Sequence, residues 1–446
     1  MTSHIIDSRL YGAAFAPDEL KAIFNDRSRV QKWFDVEAAL AEVQGELGMI
    51  PAEAAAEIAR NADAGRIDLD GIGAAIRATA HPLVPALRAL ADLCTGDAGE
   101  YVHYGATTQD IMDTGVVLQI KDVWPLLLHD LEACRTALAA LAREHRATVM
   151  VGRTHGQQAL PITFGYKLAV WVDEIDRHLE RMGEIAPRFF VGNITGAVGT
   201  LASFGPQGLE MQARVLDKLG LGTPRICWHS ARDRLCELAN LLTLIAATFG
   251  KIAKEVFNLQ RVEFGEAAEP HHHGKVGSST MPHKRNPANM ELVIGLSRLV
   301  RAQQVVLLDA SFHEHERDAA CLRIELAAVP ELVIYSGAIL AHMRKALEGL
   351  DVQPERMRAN ADMLGGLLLS ERVMLALGEK IGKQTAHEVV YEIAMAAFES
   401  DTPFRDALSA EPRVSDHLSP EEIDALLNPA AYLGAAEEIV DGIVGA

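Results

Sequence analysis

The chain has 446 residues, ample for a large core and for two or three domains. Its formal net charge of -19 argues against broad nucleic-acid binding, which needs basic surface. It leaves room for small anionic substrates, because a local cationic pocket can sit inside an acidic protein. Apolar residues make up 49% and aromatics only 5%, so the apolar content is mainly Ala, Leu, Val and Ile; Ala and Leu favour helix.

From Pro17 to about Ala91 the pattern predicts short amphipathic helices. One of them runs from Ser28 to Leu47, where Gly48 and Pro51 stop it. A polar break follows at Cys94–Glu100. Four long helices are then expected: about Thr107 to Val149 with Pro125 as a kink, from after Pro161 to about Ala186, near Ala231 to Phe264, and near Pro287 to Phe312. Such lengths predict a bundle of long packed helices. From about Glu348 the helices shorten again. Strands are few; Phe189-Phe190-Val191 fits a small excursion. The five cysteines form no CxxC pair and read as free thiols. Residues Met1–Arg9 lack a signal-peptide pattern, and no apolar run reaches the roughly 18 residues of a membrane span. The expectation is a cytoplasmic protein that contacts neither membrane nor nucleic acid.

Four polar clusters interrupt the helical pattern. In His103-Tyr104-Gly105-Ala106-Thr107-Thr108-Gln109-Asp110, Thr107 and Thr108 stand at a helix start. Their hydroxyls and free backbone N–H groups suit a carboxylate, or serve simply as caps. Gly152-Arg153-Thr154-His155-Gly156-Gln157 offers His155 before a helix, as an acid or base or as a solvated loop residue. Arg232-Asp233-Arg234, preceded by Trp228-His229, reads by itself as helix-surface ion pairing. Gly277-Ser278-Ser279-Thr280-Met281-Pro282-His283-Lys284-Arg285-Asn286-Pro287 packs hydroxyls, cations, an imidazole and an amide between helices, as loops that carry chemistry do.

Taken together, HxGATTQDxxDT, GRTHGQ and GSSTMPHKRNP, in that order, resemble the adenylosuccinate lyase and 3-carboxy-cis,cis-muconate cycloisomerase branch of the fumarase/aspartase superfamily. The similarity runs through nearly the whole chain, including Leu426–Gly434. It implies an all-α, three-domain fold: an N-terminal helical domain over 1–104, a central long-helix bundle carrying the catalytic loop over 105–347, and a C-terminal helical domain over 348–446. The implied reaction is β-elimination from a substituted succinate with release of fumarate. Ser278 is the implied base, made effective by a positive, water-poor setting and delivered by loop closure on Gly274 and Gly277. Lys284 and Asn286 would grip the substrate carboxylates, while Thr107, Thr108 and Gln157 orient them. Ser279 and Met281 are further loop contacts to substrate. His155 is the implied acid, with His81 as a second histidine. After His313-Glu314, the HERD run His315-Glu316-Arg317-Asp318 marks an approach to the site, with Arg317 on the substrate. No metal and no cofactor is implied; His271-His272-His273 reads as solvated loop. The implied assembly is a homotetramer whose sites combine loops from three subunits.

The chain also departs from its nearest-looking relatives. Adenylosuccinate lyases follow the HERD run with a Ser-rich stretch and an Arg that hold the nucleotide phosphate; here it reads Ala319-Ala320-Cys321-Leu322-Arg323, with Arg323 out of step. The Cys227-Trp228-His229 region is more cycloisomerase-like. Keeping both His81 and His155 suits protonation of a leaving nitrogen. The reading is therefore a C–N lyase acting on an N-succinyl or nitrosuccinate-type compound, with the cycloisomerase as the alternative. A catalytically silent relative would give no turnover, and a helical scaffold would have no anion site and would allow a monomer.

Overall fold

The computed structural model describes residues 3–271, 280–281 and 283–445. Helix α1 (Asp26–Glu46) begins where the Asn25 side chain accepts the Ser28 N–H at 2.9 Å, and it ends before Gly48 at φ +69°, close to the predicted limits. Helix α2 (Leu69–Thr79) is capped by Asp68 and closes on Ala80 in the left-handed region; α3 (Val84–Leu93) carries Pro at its start. Long helices follow: α4 (Thr108–Glu144), α5 (Phe164–Phe189), α6 (Asp233–Leu259), α7 (Ala288–Asp309) and α8 (Ala319–Glu348). The all-α expectation holds.

Three local details differ from the sequence reading. Helix α4 stops at Glu144 rather than Val149, because Val149 opens an antiparallel hairpin, β1 (Val149–Thr154) with β2 (Gln157–Thr163). Its β-branched Val149, Val151, Ile162 and Thr163 favour a pleated strand over another helical turn. In the segment Phe189-Phe190-Val191, Phe189 ends α5, Phe190 is a bend, and Val191 forms an isolated parallel bridge to Gly222. Helix α8 is a fifth long helix beyond the four predicted. Pro330 lies inside it, and the polar run ending at Asp318 masks its start. A second two-stranded pair joins β3 (Ala267–Ala268) to β4 (Asp351–Val352).

Contacts divide the chain into two compact units. Unit one comprises Met1–Glu132, Arg177–Gly250 and Leu292–His342; unit two comprises Ala133–Asp176, Lys251–Glu291 and Met343–Ala446. In unit one, Trp33, Phe34 and Leu40 of α1 pack with Ile58, Leu83, Leu90, Ile111, Phe204 and Trp228 in one buried cluster. Gly115 is required there, because a Cβ would stand 2.9 Å from the Trp33 ring. In unit two, Val373, Leu377, Val390, Phe404, Leu408 and Ile423 form a separate cluster from the short C-terminal helices. All five cysteines are unbridged, as expected. Helices α6 and α8 are long and apolar enough by composition to cross a membrane, but 56% and 67% of their apolar windows are buried inside the protein, as in core helices.

Candidate active site

Unit one holds a cavity of about 550 Å³. Its walls come from α2 and the turn after it (Ile76, Arg77, His81), from α4 (Thr108, Gln109, Met112, Asp113), from Trp228 and Arg232, and from Arg317 and α8 (Leu322, Arg323, Glu325). His81 follows Ala80, whose left-handed conformation turns the chain out of α2. The His81 Nδ1 accepts the N–H groups of Val84 at 3.1 Å and Leu83 at 3.3 Å. Those bonds assign the proton to Nε2, which lies 3.5 Å from Thr108 Oγ1. Of the residues singled out in the sequence, His81, Thr108 and Arg317 are brought together around this cavity.

The threonine turn is fixed from below by Asp110, which is fully buried. Its carboxylate accepts the N–H groups of Thr107 at 3.1 Å, Thr195 at 2.9 Å and Gly196 at 2.9 Å. His229 Nε2 completes the set at 2.9 Å. Burial opposes a charge on His229, but the bonds to Asp110 and Cys227 outweigh it and push the imidazole up to about 9. The folded value exceeds the unfolded one, so the stability gained is fully present below pH 6.5 and is lost as pH rises through about 9. The shift corresponds to an effect on the order of 3 kcal/mol. His229→Asn is expected to abolish this window. Thermal unfolding of variant and parent at pH 6 and pH 9.5 checks it; parallel profiles across that range would remove His229 as a charged group.

His103, itself at φ +64°, anchors the preceding turn. Its backbone N–H and its Nδ1 both meet the buried Glu37 carboxylate, at 3.0 and 2.6 Å. Burial works against the imidazolium, yet Glu37 raises its pKa. Gly105 has φ +80°, and a Cβ there would stand 2.8 Å from the Phe204 ring, so only glycine fits.

Beneath the cavity lies a buried ionic cluster. Arg232 donates to Asp113 at 2.8 and 2.9 Å and to Glu325 at 2.8 and 2.5 Å, and its guanidinium stacks 5.0 Å from the Trp228 ring. This corrects the reading of Arg232 as surface pairing: only 4% of the residue is exposed. Burial raises the Glu325 pKa against the pull of Arg232. Gln109 links the cluster to the cavity. Its amide donates to Asp113 at 3.0 Å and to the His229 carbonyl at 2.8 Å, and its Oε1 accepts from Arg317 Nε at 2.8 Å. Sequence reasoning missed Gln109, Asp113 and Glu325 as parts of the site. The available signal was the polar pair Asp110 and Asp113, three residues apart in the first turns of α4 and flanked by the apolar Ile111 and Met112.

Unit two carries the remaining predicted residues. His155 does not sit in a loop before a helix, as the sequence reading had it; it forms the tip of the β1–β2 hairpin. Thr154 pairs with Gln157, so His155 and Gly156 are a two-residue turn, with φ of +52° and +75°. Positive φ at both positions is the geometry of a type I′ hairpin. His155 and Gln157 are exposed there. The hairpin is held by Arg153, which donates to the buried Glu266 at 2.8 and 2.6 Å and lies over the Phe264 ring. Lys284 and Met281 are exposed and Asn286 is half-buried. The end of their segment is tied down: the Gln260 amide donates to the Arg285 carbonyl at 3.0 Å, and Glu269 accepts the Asn289 and Met290 N–H groups at 3.0 and 3.1 Å at the start of α7. Ser278 and Ser279, with Gly274 and Gly277, lie outside the described residues.

A family model described as Lyase matches residues 13–302, and one described as Adenylosuccinate lyase C-terminus matches residues 366–443. The chain is a lyase of the fumarase/aspartase superfamily. It is 48% identical to an N-acetyl-S-(2-succino)cysteine lyase of Enterococcus italicus over 100% of this chain and 98% of that one. A protein of the same name from Dickeya dadantii is 46% identical, again over 100% and 98%. An adenylosuccinate lyase of Methanocaldococcus jannaschii is 41% identical over 100% and 96%. Among solved structures, a fumarate lyase from Mesorhizobium sp. BNC1 superimposes with a TM-score of 0.92 at 40% identity, covering 98% of this chain and 99% of that one. The lyase therefore has the helical superfamily fold that its motifs implied.

Proposed function

We propose that this lyase cleaves the carbon–sulfur bond of a 2-succinylated thiol of the N-acetyl-S-(2-succino)cysteine kind, releasing fumarate and the thiol. The observation that carries the reading is the charge of the cavity. Five guanidinium groups (Arg29, Arg77, Arg232, Arg317, Arg323) and two carboxylates (Asp113, Glu325) line it, in a chain whose net charge is -19. Such a site suits a substrate carrying several carboxylates. Where adenylosuccinate lyases have a phosphate-binding Ser-rich stretch, this wall presents Ala319, Leu322 and Leu326. That supports a small organic leaving group over a nucleotide. The names of the relatives at 48% and 46% identity supply the sulfur, where the sequence reading placed nitrogen.

In this reaction a base removes the proton from the succinyl carbon next to the one bearing sulfur. The electron pair forms the double bond of fumarate as the C–S bond breaks, and sulfur leaves with its pair as a thiolate. Charge gathers on the carboxylate beside the reacting C–H, where preorganised donors and cations are most effective. Ser278 is proposed as the base, Lys284 and Asn286 as the carboxylate clamp, and Thr107, Thr108 and Gln157 as orienting groups. A thiol with an ordinary pKa of about 8.5 needs less help to depart than an amine. His81, with its proton on Nε2, or His155 then returns a proton to the product. Presentation of His155 on an exposed hairpin supports sites completed between subunits of a tetramer. The test is fumarate release, followed by ultraviolet absorbance, on a panel of the succinocysteine thioether, adenylosuccinate, argininosuccinate, nitrosuccinate and 3-carboxymuconate. The thioether is expected to lead in kcat/KM by about 100-fold or more. Adenylosuccinate in first place would refute the reading.

A further inference from the structure

Two of the five arginines around the cavity have no hydrogen-bond or ion-pair partner among the described residues. Arg232 is engaged by Asp113 and Glu325, Arg317 by Gln109 and by the Ala197 carbonyl at 2.9 Å, and Arg29 by Asp26 at 3.4 Å. The side chains of Arg77 and Arg323 make no hydrogen bond or ion pair among the described residues. They reach the cavity from different elements, Arg77 from the last turn of α2 and Arg323 from the second turn of α8. A cation near the C-terminal end of α2 is favoured by the helix dipole in any case, but one near the start of α8 gains nothing from it. Ile76, next to Arg77 in sequence, and Leu322 and Leu326, close to Arg323, also line the cavity.

We propose that Arg77 and Arg323 form the subsite for a carboxylate on the leaving thiol, with the apolar wall beside them taking its acyl group. The proposal rests on the thioether reading and adds to it the residues that select among thiols. Guanidinium groups free of internal partners keep their fork of donors for a ligand carboxylate, and such charge-assisted pairs discriminate strongly against ligands that lack it.

The test compares N-acetyl-S-(2-succino)cysteine with N-acetyl-S-(2-succino)cysteamine, which lacks only the leaving-group carboxylate. Wild-type enzyme is expected to prefer the first by about 10- to 100-fold in kcat/KM. Arg323→Gln, and Arg77→Gln beside it, should erase most of that preference by lowering kcat/KM for the cysteine compound far more than for the cysteamine compound, with circular dichroism and thermal unfolding showing that the variants are folded. An undiminished preference in both variants would overturn the subsite while leaving the thioether reading intact. Binding of free N-acetylcysteine and N-acetylcysteamine by calorimetry separates the two ideas from the other side. Weaker N-acetylcysteine binding in the variants, in an enzyme that turns over neither thioether, would uphold the subsite and refute the reaction; equal binding in parent and variants would refute the subsite.

Discussion

Ser278→Ala is expected to lower kcat for fumarate release by at least about 100-fold, the scale of a lost general base, with fold and assembly unchanged. A serine hydroxyl is a weak base, so the effect depends on its surroundings as well as on its own presence. Lys284 lies six residues on, in the segment that Glu269 and Gln260 tie to the start of α7. Steady-state kinetics beside circular dichroism and sedimentation make the comparison. Wild-type-like kinetics would take Ser278 out of the mechanism, whereas loss of assembly would show that the loop has a structural role.

The second large effect concerns Arg232. One guanidinium holds two carboxylates in a setting where all three side chains are less than a tenth exposed. Arg232→Met leaves Asp113 and Glu325 buried without their counter-charge, and is expected to cost about 3–5 kcal/mol. The triple change Arg232→Met, Asp113→Asn, Glu325→Gln removes the charges together and should recover much of that loss, since a buried pair replaced by neutral groups of similar size is often neutral. Thermal unfolding distinguishes the cases. A single variant as stable as the parent would mean that the cluster contributes no stability. Activity in a stable triple variant separates support of the fold from support of the cavity, because Gln109 joins the cluster to Arg317.

Much of the fold was legible because its determinants are local. Asn25 caps α1, Gly48 ends it, and the long Ala- and Leu-rich stretches make helices with limits close to those expected. The β1–β2 hairpin was missed although its signal was present. Thr-His-Gly-Gln between two short runs containing β-branched residues is a hairpin pattern, but His is a less familiar occupant of a positive-φ turn position than Asn. Helix α8 was missed because its proline and its polar approach read as breaks. A proline inside a helix is decided by the packing around it, which a local pattern does not contain.

The sequence by itself determined that this is a long-helix lyase of the fumarase/aspartase superfamily, and it nominated the short segments proposed to carry its chemistry. Residue order within a motif survives any folding, so motifs can be read without coordinates. Only the tertiary structure decided the company those residues keep. Asp113, Arg232 and Glu325 lie more than a hundred positions apart from first to last, and nothing in their spacing says that they share one buried cluster. Likewise, that Arg77 and Arg323 line one cavity with no partner among the described residues emerges only when α2 and α8 are packed. Burial, pairing and net local charge are properties of groups brought together across the chain, and they give this cavity its cationic lining within an acidic protein.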